Sequence, residues 1–592
     1  MNVNYKYASP SMCSQQGDTT VLGLSPDLNR DEKVSFKGKL KQPLVFRDAM
    51  LMLREIVIAD TSKKKKDRVE FFEWLDKEIE ARLVSHEKHM PGLRENIQKD
   101  IDEIQQDLNA NQVEINKLTR IRGNLQREID KHDVWKDYYR VSSHFWSFVR
   151  NRDRNLSMIL DPVITVHPDM VSFEAFSLDE SIYGCLSVEM SEFDIVGTPK
   201  LGTTNIDFSA KLAKEMERFR TYSDVELSVN PEGFTVDTGQ APEYMEKKID
   251  LPETWIKGFN QVSSAANLKG VSIKLAPVDL YDICSFLRRH KEKSSPRYMK
   301  WILTKNKPIR IIFEPFGTEL VLTSIYTGDK NREEKIWGRR RWLVAEKLLP
   351  IAESFEIKLL GFGMPQFIIA DMGKMKMTIG FTSWSANDWV KGTAFNVMNG
   401  FIGDGNYTDV YNLLKEKRYM STEDIFGAFD QNKTKVISGI GGVLKRGEGY
   451  FDPVSNLVRF RRLCSEPIPA ELYETTKTEH AVKQLVDMGM DNFEVSLSDR
   501  NEYVFVNSYA GRKGYVNKDG TNIAATAEIS IDQDGQISAL KCSCQEFNRG
   551  ARNISEPCPH ILALYMVSTK FTQLTLERDK KYKTNDIMEL LL

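Results

Sequence analysis

Apolar residues in PLVFRDAMLMLREIVIAD (43–60) recur at helical spacing and cover more than one face, so this stretch predicts a buried helix. The lysine run Lys63 to Lys66 closes it off as a solvated linker. A different texture follows. Ile97, Ile101, Ile104, Leu108, Ile115, Leu118, Leu125 and Ile129 alternate at four-three spacing, interrupted at Asn111 and Arg122, and charged residues fill the other faces. That is a heptad seam. Pro91-Gly92 separates it from an earlier helical run, DRVEFFEWLDKEIEARLVSHEKHM, so the two fold back as an antiparallel hairpin or the seam self-associates as a coiled coil. Polar Asn111 and Arg122 set register in either case.

From about Asn155 to Gly400 the period changes. Short β-type runs (PVITVHPDMVSFEAF, DVELSVNPEGFTVDT, PIRIIFEPFGTELVLTSI, MKMTIGFTSW) alternate with helical ones (DFSAKLAKEMERFRTY, DLYDICSFLRRHKEK, RRWLVAEKLLPIAESF), which predicts an α+β core. After Gly405, YTDVYNLLKEKRYM predicts one helix, STEDIFGAFDQ a second capped by Ser421 with Asp424 three residues on, and KTKVISGIGGVLKRG a third. The third runs into YFDPVSNLVRFRRL, two β-type runs joined by a Pro-Val-Ser-Asn turn. Three helices then a hairpin is the order of a winged helix. Lys433, Lys435, Lys445, Arg446, Arg459, Arg461 and Arg462 stand there against only Glu448 and Asp452, so the third helix and wing offer a basic, phosphate-contacting face. Against DNA contact, Gly439, Gly441 and Gly442 weaken the helix, and few Asn or Gln side chains stand ready to read base edges. Winged helices also serve as protein-contacting modules.

Composition narrows the class. At 592 residues the chain exceeds what one core supports, and about four domains are expected. Its 82 Lys and Arg against 84 Asp and Glu leave a net charge of -2, so any nucleic-acid surface must be local. The N-terminus lacks the order of a signal peptide and no run reaches membrane-spanning length, which places the chain in the cytoplasm. Of seven cysteines, Cys13, Cys185, Cys284 and Cys464 are scattered and read as inert thiols rather than a disulfide framework.

Catalytic patterns are few. HEKHM at His86 has the wrong spacing for a helical zinc site, and no phosphate-binding G-x-x-x-x-G-K-[ST] loop occurs. Gly361 and Gly363 in LLGFGMPQF read as a strand-to-strand turn rather than a dinucleotide loop. Arg339, Arg340 and Arg341 open a helical run where amides and guanidiniums could hold phosphate; ion pairs across the surface are the alternative. In SWSANDW, Trp384 and Trp389 flank Asn387 and Asp388, either as a pocket or as core packing with a capped turn.

One constellation is complete. AEISIDQDGQISALKCSC alternates about Asp534-Gly535, a hairpin turn, and places Cys542 and Cys544 two apart on a strand, pointing to one side. After thirteen intervening residues Cys558-Pro559-His560 leads into the helical ILALYMVSTKF, with Pro559 in the first turn and the helix N-terminus favouring thiolate at Cys558. C-x-C followed by C-x-H makes a Cys3His set for one Zn2+, and four protein ligands leave no open position, so the metal is expected to be structural.

The segments TVHPDMVSFEAFSLDES, GTTNIDFSAKLAKE, KKIDLPETWIKGFNQVSSA, VDLYDICSFLRRHKEKSSPR, IWGRRRW, LLGFGMPQF and FTSWSANDW together resemble the bacterial SWIM zinc finger family proteins, over most of the chain. The Cys542, Cys544, Cys558, His560 set matches the SWIM-type pattern at all four positions. The resemblance implies a partner role beside MoxR-type AAA+ ATPases and von Willebrand factor A-type proteins, and carries no reaction. The expected architecture is multidomain α+β: an N-terminal segment (1–64), a helical coiled-coil arm (65–135), a central α+β domain (136–404), a winged-helix-like module (405–464) and a SWIM zinc finger region (465–592). The expected function is a non-catalytic zinc-binding adaptor that contacts a protein partner, DNA or both, with self-association through the arm. An enzyme with its site around Arg339 to Arg341, Trp384, Asn387 and Asp388 is the alternative.

Overall fold

The computed structural model describes residues 11–16, 19–27, 33–59, 95, 98–102, 118–125, 162–206, 208, 210–220, 222, 224–230, 253–292, 297–361, 364–382, 389, 394–401, 405–429, 433–464, 468, 477–487, 493–498, 502–509, 525–532, 536–544, 547 and 557–577. The chain divides into two units, one comprising Met1–Thr61 with Leu160–Leu592, the other Ser62–Ile159. In the second unit, 98–102 and 118–125 are helical. The seam residue Ile101 is buried, Leu118 and Leu125 are half-buried, and Arg122 and Ile121 are exposed. The rest of the heptad seam, His86 and the lysine run Lys63 to Lys66 lie outside the described residues.

The larger unit is built on antiparallel pairing. Its main sheet runs, edge to edge, Val271–Leu275, Ser354–Leu359, Gln366–Asp371, Met375–Phe381, Ile182–Glu189, Met170–Phe176, Val163–Val166 and Gly202–Asn205. A five-stranded sheet mixes the N-terminal strands Met12–Gln16, Thr19–Leu24 and Phe36–Leu40 with Phe193–Ile195 and Asp224–Val229, and one of its pairs, Thr19–Leu24 with Asp224–Val229, is parallel. The N-terminal segment is thus woven into the central region. A four-stranded sheet orders Thr318–Ile325, Pro308–Phe313, Met299–Leu303 and Arg332–Ile336.

The apolar helix expected at the N-terminus is Pro43–Ile58, with Pro43 in its first turn and Phe46, Met50, Leu53 and Ile56 buried. It packs on Met170–Phe176 and Ile182–Glu189. Burying each such side chain contributes about 1.5–3 kcal/mol. The approach is close because Gly184 lies beneath it: a Cβ there would fall 2.5 Å from Ile56 Cδ1.

The helical run from Arg339 becomes a 3-10 helix, Arg339–Leu348. Arg339, Trp342, Ala345 and Leu348 are buried at three-residue spacing, which matches three residues per turn rather than 3.6. Trp342 stacks near Trp301 and Phe381, and its Nε1 donates to Gln366 Oε1 at 2.9 Å.

Beyond Gly405 come helices Tyr407–Lys417, Thr422–Gly427 and Lys433–Lys445, then strands Gly449–Asp452 and Leu457–Phe460. Ser421 Oγ accepts from the Asp424 amide at 3.0 Å, capping the second helix as its sequence predicts. A short strand, Tyr419–Ser421, adds to the hairpin. The glycines of the third helix have a packing reason. A Cβ on Gly441 would lie 2.5 Å from Phe401 Cβ, and one on Gly439 2.9 Å from the Asn406 carbonyl group, so the helix gives up propensity for close approach.

The last element is a four-stranded meander, Glu494–Leu497, Tyr503–Tyr509, Ala525–Ile531 and Ile537–Cys542, covered by helix Pro559–Glu577. Ile529, Ile531 and Phe505 of the sheet and Ile561 and Leu564 of the helix are buried.

Candidate metal centre

The meander and its helix bring four side chains together. Cys542 ends its strand, opposite Ala527, and Cys544 follows after the single residue Ser543. Cys558 precedes the helix Pro559–Glu577 and His560 is its second residue. The ligand atoms of Cys542, Cys544, Cys558 and His560 all lie within 4.8 Å of one another, with the three cysteines buried and His560 half-buried. A tetrahedral ion with bonds of about 2.0–2.3 Å needs its ligands about 3.5–3.8 Å apart. Closure therefore needs only small displacements.

Two further observations show that the residues fit a cation. His560 Nδ1 is buried and has no hydrogen-bond partner, a costly state for a free imidazole and the natural one for a ligand. The thiols also compete for charge. The Cys542 thiol is pulled down to about 4, chiefly by a hydrogen bond from Cys558, and next to it Cys558 is held well above the ordinary thiol range by that same bond and by burial. Burial raises Cys544 as well. A cation at this position would let all three thiols ionise.

The backbone supports thiolates here. The Phe547 amide donates to Cys544 Sγ at 3.4 Å, and the amides of Cys544 and Ile561 favour the charged forms of Cys542 and Cys558. Tyr509, on the strand two removed from Cys542, donates its hydroxyl to the His560 carbonyl at 3.0 Å, with the two rings 5.1 Å apart. Nothing in the sequence marked Tyr509, because its link to His560 spans 51 residues and exists only after the strand and helix pack.

The other expected sites do not converge. Arg339 Nη1 donates to the carbonyls of Glu314 and Tyr298, Arg340 Nη1 to the Leu287 carbonyl at 2.7 Å, and Arg341 Nη1 to the carbonyl and hydroxyl of Thr382. The three guanidiniums thus point to different elements and donate to groups of the chain itself, rather than converging on one phosphate position. Asn387, Asp388 and Trp384 lie outside the described residues, as does Gly363, while Trp389 is buried with its Nε1 donating to the Gly380 carbonyl at 3.3 Å.

The basic face of the third helix and hairpin is also corrected in part. Lys433 and Lys435 are exposed. Lys445, however, is buried against Glu479 at 2.9 Å. Arg459 grips Asp169 with both Nη atoms at 2.9 and 3.0 Å and Asp452 through Nε at 2.8 Å. Arg461 pairs with Glu174 at 2.6 Å, both 1% exposed, between the rings of Phe259 and Tyr450. Arg446 lies over the Tyr407 ring, 4.0 Å from its centre, and Arg462 is half-buried. These charges are spent inside the chain: Arg459 and Arg461 fasten the hairpin to the main sheet, and Lys445 fastens the third helix to helix Lys477–Asp487. His167, buried in the same cluster 3.3 Å from the Tyr450 hydroxyl, is held well below the usual imidazole range by burial and by Arg459, Arg461 and Arg418.

Burial pushes the Cys13 and Cys284 thiols up to about 12 and Cys185 higher, which disfavours their thiolate forms. Among the described residues no helix is long and apolar enough to cross a membrane.

No family model and no curated protein matches the sequence. Among solved structures, Proliferating Cellular Nuclear Antigen from Entamoeba histolytica is similar over 38% of this chain and 91% of that one, at 12% identity and a TM-score of 0.27. A. fulgidus PCNA bound to the C-terminal region of FEN-1 is similar over 39% and 92%, at 10% identity and a TM-score of 0.27. Scores and identities this low assign neither fold nor function to the chain.

Proposed function

We propose that the protein is a non-catalytic adaptor whose C-terminal module is a SWIM-type zinc finger, holding one structural Zn2+ through Cys542, Cys544, Cys558 and His560. The observation that carries the reading is the convergence of all four ligand atoms within 4.8 Å, with His560 Nδ1 left buried and unbonded. Three soft sulfurs and one imidazole favour zinc over hard cations, and four protein ligands leave no position for a reacting water. The module at 405–464, with three helices and a hairpin, is read as a winged helix turned to protein contact, since three of the seven basic side chains between Lys433 and Arg462 (Lys445, Arg459 and Arg461) are used within the chain. The arm at 65–135 is read as the coiled-coil element through which a partner or a second copy is engaged, and the partner class that the family resemblance implies is an AAA+ ATPase system in the cytoplasm.

Elemental analysis of the purified chain tests the metal: one zinc per chain is expected, and Cys558→Ser is expected to lose it and to melt the sheet and helix around it. Apparent zinc free energies of about 10–16 kcal/mol in small fingers set the scale of that loss. Absence of stoichiometric zinc in the wild type refutes the reading. Co-purification followed by mass spectrometry tests the adaptor role.

A further inference from the structure

The hairpin Ala525–Ile531 and Ile537–Cys542 is held at both ends. Its open end carries the ligand Cys542, and there Ser543 and Thr526 exchange bonds: Ser543 N donates to the Thr526 carbonyl at 3.0 Å and Thr526 N to Ser543 Oγ at 2.8 Å. Its closed end sits on the central sheets. Asp532 pairs with Arg332, and Gln536 Oε1 accepts from Arg332 Nη1 at 3.1 Å. Gln536 Nε2 donates to Glu334 Oε1 and to the Leu359 carbonyl, each at 3.2 Å. Ile537 bridges the backbone of Gly361, where any Cβ would overlap the Ile537 carbonyl oxygen and φ is +105°. One six-residue strand thus spans about 20 Å between metal ligands and seam.

The seam is polar in a way that limits its strength. Glu334 is 7% exposed, and among the described residues its hydrogen-bonded partner at the seam is the Gln536 amide, while Arg332 is paired with Asp532. Burying an acid whose nearest cation is shared with a second carboxylate costs free energy that an apolar contact would not. Docking is therefore sensitive to how well ordered the hairpin is. A metal held by the Cys3His set would supply that order, since it would tie Cys542, at the end of the strand, to Cys558 and His560, at the start of the helix that covers the hairpin.

We propose that metal loading and docking of the C-terminal module are thermodynamically coupled, so that the filled Cys3His site holds the seam closed and loss of the metal releases the hairpin from Arg332, Glu334 and Gly361. The proposal rests on the zinc reading above and adds its regulation. Coupling is reciprocal: whatever factor the metal contributes to docking, docking contributes to metal affinity. A device of this kind turns a structural ion into a switch that uncovers a surface of the central body.

The test uses the full chain. Zinc affinity is measured by competition with a chromophoric chelator for wild type, Arg332→Ala and the milder Arg332→Lys, and hydrogen exchange is followed over Arg332–Ile336 and Ser354–Leu359 before and after chelation. These strands contain no metal ligand, so faster exchange on chelation reports undocking. The expected results are that faster exchange and zinc binding weakened about tenfold in Arg332→Ala, with a smaller loss in Arg332→Lys. Unchanged exchange in the wild type on chelation, or equal zinc affinities in all three proteins, overturns the coupling while leaving the metal site intact. A wild type that binds no zinc removes the metal reading and the coupling with it.

Discussion

Replacing Arg461 by alanine probes an ion pair buried on both sides. Glu174 and Arg461 are each 1% exposed and meet at 2.6 Å, and the Tyr183 hydroxyl adds a 2.7 Å bond to the same carboxylate. The guanidinium carbon lies 4.5 Å from the centre of the Phe259 ring and 4.8 Å from that of Tyr450. In the variant, Glu174 keeps one hydrogen bond and loses its countercharge, while two aromatic faces lose their cation. Breaking a buried pair from one side costs about 3–5 kcal/mol, most of it the penalty of the charge left behind. Replacing both partners, as in Arg461→Met with Glu174→Gln, removes that penalty and is expected to recover stability to within about 1 kcal/mol of wild type. Urea denaturation by far-ultraviolet circular dichroism measures the loss. Hydrogen exchange over the helix Glu253–Ala266, which carries Phe259, localises it, since a chain of several modules need not unfold in one step. A loss below about 1 kcal/mol for Arg461→Ala, or a double variant no better than the single one, refutes the claim that this pair fastens the hairpin to the main sheet.

Two further variants probe the seam and the helix packing. Burial pushes the Glu334 carboxyl up to about 8, with Arg332 opposing and Asp532 and Glu502 adding to the rise. Between 4.5 and 8 the folded chain keeps a proton that the unfolded chain has lost, so stability should fall as pH rises through this window and level off above it, by on the order of 5 kcal/mol at most. Glu334→Gln should flatten that dependence in melts from pH 5 to pH 9, and identical slopes for the two proteins would count against it. Gly441→Ala gains about 1 kcal/mol of helix propensity but drives a methyl against Phe401, so a net destabilisation of about 1–2 kcal/mol is expected; a stabilised variant would mean that Phe401 yields.

Much of the local structure was legible along the chain. The helix Pro43–Ile58, the cap at Ser421, the hairpin leading to Cys542 and the helix start at Pro559 follow from patterns a few residues long, and so does the Cys3His set, whose spacing already names its ligands. Periodicity, caps and metal ligands are local properties, so sequence carries them. The 3-10 form of Arg339–Leu348, by contrast, depends on which side chains the neighbouring sheets bury. The joining of the N-terminal strands to Asp224–Val229 pairs residues some two hundred positions apart. Most consequential is the fate of charge. Lys445, Arg459 and Arg461 read as a solvated basic face because the count of neighbours in sequence is all that a pattern offers. Their partners Glu479, Asp169 and Glu174 lie 34 to 290 positions away, and only tertiary packing decides whether a cation meets water, a phosphate or a buried carboxylate.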